Sequence, residues 1–115
     1  MKIAIINYSF RCSTQGLEKY LKEKDVKVVK ECSLVELEQN HKGKEFDFLL
    51  IHPGIDRQRE TFESMARYYL SIPYAILTFN IDDYIIGSVP VFSADSKKFS
   101  LIYGFIQEKI LSKTL

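Results

Sequence analysis

Phe46-Asp47-Phe48-Leu49-Leu50-Ile51-His52-Pro53-Gly54 decides the fold of this chain. The apolar run is short, does not alternate with polar residues, and stops at a Pro-Gly corner. A strand of that pattern needs cover on both faces, which a parallel sheet between helices provides. The corner then opens a loop at the carboxyl end of the strand, where open α/β sheets bind their ligands. Here the loop offers His52, Asp56 and Arg57.

Outward from this run, apolar strands alternate with amphipathic helices. Lys2 to Tyr8 reads as the first strand. Ser13 to Lys24 reads as a helix with Leu17, Tyr20 and Leu21 on one face. Val26 to Glu31 is the second strand. Ser33-Leu34-Val35-Glu36 is a capping box, and the helix it starts frays near Asn40 to Gly43. Phe46 to Ile51 is the third strand. Gln58 to Ser71 has the clearest helical period, with Phe62, Met65, Ala66, Tyr69 and Leu70 on one stripe. Pro73 to Phe79 and Val89 to Ala94 are the fourth and fifth strands. Pro90 places the fifth at a sheet edge, because proline cannot donate to an interior ladder. The last helix is expected from about Asp95 to Ser112, burying Phe99, Ile102, Tyr103, Ile106 and Ile110 and weakened by Gly104. Asn80 to Ser88 is short for a crossover helix, and Asp82 to Gly87 reads as one helical turn or an irregular loop. Right-handed crossovers turn this order into one domain over residues 1–115, an open five-stranded parallel sheet of order 2-1-3-4-5 with helices on both faces.

A hydrophobic content of 46% with 13% aromatic residues suffices for a core and argues against disorder. Sixteen basic against 15 acidic side chains give a net charge of +1, which provides no electrostatic reason to expect nucleic acid or an anionic membrane. No apolar run approaches the roughly 20 residues that span a bilayer. Met1 to Ile6 enters a strand at once, without a signal-peptide pattern. Cys12 and Cys32 make a poor disulfide framework, so a cytoplasmic location is expected.

Three loops converge at the carboxyl end of such a sheet: Asn7 to Thr14, His52 to Arg57, and Thr78 to Asp83. The size of the chain and its count of strand–helix units resemble a response-regulator receiver domain, which implies a flavodoxin-like three-layer fold. Receivers carry an acidic pair after strand one and a phosphoacceptor aspartate ending strand three. A Ser or Thr ends strand four and a lysine ends strand five. Here Asn7-Tyr8 stands at the acidic pair. His52 stands at the acceptor by strand alignment, or Leu49 by alignment of the Pro-Gly corner. Thr78 matches, and Ser93 falls near the lysine position. The resemblance implies a pseudo-receiver without the carboxylates that Mg²⁺ binding and phosphoryl transfer require.

Residues 1–80 also resemble class I glutamine amidotransferases, through the strand ends Ile5 to Tyr8, Asp47 to Gly54 and Ile72 to Thr78. That likeness puts an oxyanion hole at Gly54 and the nucleophile position at Thr78. Leu77 and Phe79 replace the glycines of a nucleophile elbow, so an inactive domain is implied. Asn7 to Thr14 is similar to the phosphate-binding loops of flavodoxins and sugar-phosphotransferase B subunits. Ser9, Ser13 and Thr14 would there present hydroxyls at a helix start to a phosphate, nucleotide or flavin.

The candidate rim is therefore Ser9, Cys12, Ser13, Thr14, His52, Gly54 and Thr78. Cys12, beside Arg11 and a helix start, is a candidate low-pKa thiol, though no base accompanies it in sequence. Asp56, Asp82 and Asp83 read as turn and cap residues, and no metal or cofactor is expected. His41 is expected in solvent. Tyr84-Ile85-Ile86 follows two aspartates in a short connection, where an apolar triplet is a candidate interaction surface. The sequence thus predicts a non-catalytic signalling or regulatory domain with a protein partner or a second copy; the alternatives are a phosphate-, nucleotide- or flavin-binding protein using the Ser9–Thr14 loop and an inactive amidotransferase-like domain.

Overall fold

A computed structural model describes residues 1–8, 13–41, 46–52, 72–78, 84–86, 89–93 and 95–114, apart from the side chains of 78, 84–86, 89, 90 and 112–114. In chain order the elements are β1 (Lys2–Asn7), α1 (Gln15–Glu23), β2 (Lys27–Glu31), α2 (Leu34–His41), β3 (Phe48–His52), β4 (Tyr74–Thr78), β5 (Tyr84–Ile86), β6 (Val89–Ser93), a 3₁₀ turn at Ser96–Lys98, and α3 (Phe99–Thr114).

All five residues of β3 are buried. Two neighbours and two covering layers account for this. Strand β3 lies between β1 and β4 in the order β2-β1-β3-β4-β6-β5. Its side chains then divide by parity between two cores. Phe48 and Leu50 join Ile3, Ile5, Leu17, Leu21, Ile102 and Ile106 under α1 and α3. Leu49 and Ile51 join Ala4, Ile6, Leu34 and Leu37 under α2. The five strands β2, β1, β3, β4 and β6 are parallel, so the expected 2-1-3-4-5 sheet is present with helices on both faces.

A sixth strand changes one edge. Tyr84–Ile86 is neither a helical turn nor a loop. It forms β5, antiparallel to β6 with Tyr84 opposite Val91, Ile85 opposite Pro90 and Ile86 opposite Val89. The strand holding Pro90 is therefore interior to the sheet, contrary to the edge position expected from proline. Pro90 stands one residue before the first β4–β6 register pair, Ile76–Val91, so its missing N–H falls at the start of that ladder rather than in its middle. The expected last helix is also divided. Asp95 caps a 3₁₀ turn by accepting the Lys97 N–H at 3.1 Å, and α3 proper starts at Phe99.

Local chemistry sets the other boundaries. Helix α1 ends in a Schellman motif: the Val26 N–H donates to the Leu21 carbonyl and the Asp25 N–H to the Lys22 carbonyl. Asp25 takes the left-handed position of that motif, at φ 62°. At the start of α2 the Ser33 hydroxyl accepts the Glu36 N–H at 3.1 Å. The Glu36 carboxylate reaches back one residue further than an ideal box, to the Cys32 N–H at 3.3 Å. The expected Gln58–Ser71 helix lies outside the described residues.

Candidate functional site

Polar residues end the four neighbouring parallel strands at the centre of the sheet. Asn7 ends β1, His52 ends β3, Thr78 ends β4 and Ser93 ends β6. Asn7 is the register partner of His52, and Thr78 that of Ser93. Among the described residues the buried polar ones are Thr14, His52 and Ser93, and all three belong to this carboxyl edge. Strand parity puts Asn7 and His52 on the α1/α3 face, with Ser93 on the α2 face. Leu49 lies inside β3, so His52, rather than Leu49, stands at the end of the strand.

His52 is 2% exposed. Burial holds its pKa below the usual 6.5, with its own backbone hydrogen bond acting weakly in the opposite sense. The imidazole is therefore neutral at pH 7. Its carbonyl accepts the Tyr8 N–H at 2.9 Å. Tyr8 in turn accepts the Leu34 N–H on its phenolic oxygen, also at 2.9 Å. One residue thus ties the ends of β1 and β3 to the first amide of α2. Sequence reasoning passed over Tyr8, although a tyrosine directly after a strand, facing a helix start, was the available signal.

At the start of α1, Thr14 does not present its hydroxyl to a ligand. It donates to Glu18 at 3.1 Å, and Glu18 also pairs with Lys30 of β2 at 3.5 Å. The carboxylate stands one turn inside the helix and opposes any anion there. Ser13 is exposed, and its hydroxyl accepts the Gln15 N–H at 3.2 Å. Ser9, Cys12, Gly54, Asp56, Arg57, Asp82 and Asp83 lie outside the described residues. Nothing is described of the Thr78, Tyr84, Ile85 and Ile86 side chains, though their backbones are in β4 and β5.

His41 is not in solvent as expected. Its Nε2 lies 3.0 Å from Glu31, and its ring meets Phe46 edge-on at 5.9 Å. Cys32 is free and exposed. A depression of about 520 Å³ on α1 is lined by Gln15, Glu18, Lys19, Lys22 and Glu23. Among the described residues its lining comes from α1 alone. Among the described residues, no group of three His, Cys, Asp or Glu is placed to hold a metal ion. None of the described helices is long and apolar enough to cross a membrane. Comparisons with protein-family models, characterised proteins and solved structures return no match for this chain.

Proposed function

We propose that the chain is a receiver-like signalling or regulatory domain that acts through protein–protein contact and does not carry phosphate on aspartate. One observation carries this reading: Asn7, His52, Thr78 and Ser93 are the residues that end the four strands. Receivers place an acidic pair, an aspartate, a hydroxyl and a lysine at the corresponding ends. Thr78 alone matches. A neutral, buried His52 cannot replace a carboxylate that attacks phosphorus beside Mg²⁺. The Thr14–Glu18 bond favours this reading over an anion-binding loop, since it uses the hydroxyl proton and adds negative charge. In this reading Tyr84, Ile85 and Ile86 of β5 form the binding surface, and the partner is another protein or a second copy in the cytoplasm.

The test is sedimentation velocity and circular dichroism on the wild type and on Tyr84→Ala with Ile86→Asp. The double variant is expected to keep its helical signal and lose association. Unfolding of the double variant would put these side chains in the core and remove the positive support for a binding surface.

A further inference from the structure

We draw no further inference here: the strongest candidate, the outward face of α3 that exposes Leu101, Gly104 and Leu111, carries nothing because nothing in the structure shows what covers it.

Discussion

The phenolic oxygen of Tyr8 accepts the backbone N–H of Leu34 at 2.9 Å, across 26 residues of sequence. Side-chain acceptors at a helix start usually come from the residue just before it. Here Ser33 serves the Glu36 amide, and the strand β1 end serves the Leu34 amide. Tyr8→Phe keeps the ring in its half-buried place and removes the acceptor alone. It should lower the unfolding free energy by about 0.5–1.5 kcal/mol, read from the urea midpoint, with faster exchange of the Leu34 amide. An unchanged midpoint together with unchanged exchange would mean that water replaces the hydroxyl without loss.

Much of this architecture is legible in the sequence because it rests on uninterrupted burial. Phe48 to Ile51, Ile3 to Ile6 and Ala75 to Leu77 are all buried, and their boundaries follow the apolar runs closely. Helices α1 and α2 follow from Leu17, Leu21, Leu34 and Leu37 at helical spacing. Strand β5 was not legible, since three residues are too few to show a period. Pro90 misled for a physical reason: the edge rule concerns a lost donor inside a ladder, and Pro90 stands just before the β4–β6 register pairs begin at Val91. Phe105 was left out of the α3 stripe, yet its ring meets both Phe48 and Phe92. At the site, strand ends located His52 and Ser93, but not the Tyr8 tie, which depends on a contact distant in sequence.

Gly104 is exposed in the middle of α3, and a Cβ added there would meet nothing within 4 Å. Gly104→Ala should therefore stabilise the protein by about 0.5–1 kcal/mol, through helix propensity alone. Thermal unfolding measures it, with a rise in midpoint of several degrees expected. A fall would reveal a neighbour on that face of α3, such as another chain.

Asp25 holds φ 62°, a conformation that costs little for glycine and more for any residue with a Cβ. Asp25→Gly should gain up to about 1 kcal/mol, reduced by the greater freedom of glycine in the unfolded chain. Asp25→Val should instead lose more than that, because a β-branched residue is poorly tolerated there. Urea unfolding of the two variants should bracket the wild type.

Burial depresses the pKa of His52 below 6.5. The unfolded chain then binds a proton near pH 6.5 that the folded chain resists. Stability is full above that pH and falls as pH drops below it, levelling off once the folded pKa is passed. The slope contributed is at most about 1.4 kcal/mol per pH unit. Urea unfolding at pH 7.5 and 5.5 should show a smaller acid loss in His52→Asn than in the wild type. Equal losses would place the acid sensitivity elsewhere.

The sheet ends in Asn7, His52, Thr78 and Ser93, and the proposal built on those ends is a receiver-like domain that does no phosphotransfer. Intact-mass measurement after incubation with acetyl phosphate and Mg²⁺ tests it most directly. The account predicts no added phosphate, and the same spectrum when Mg²⁺ is left out. A Mg²⁺-dependent, hydroxylamine-labile adduct of one phosphate would contradict it, because it would show an acyl phosphate on a carboxylate that the strand ends do not provide.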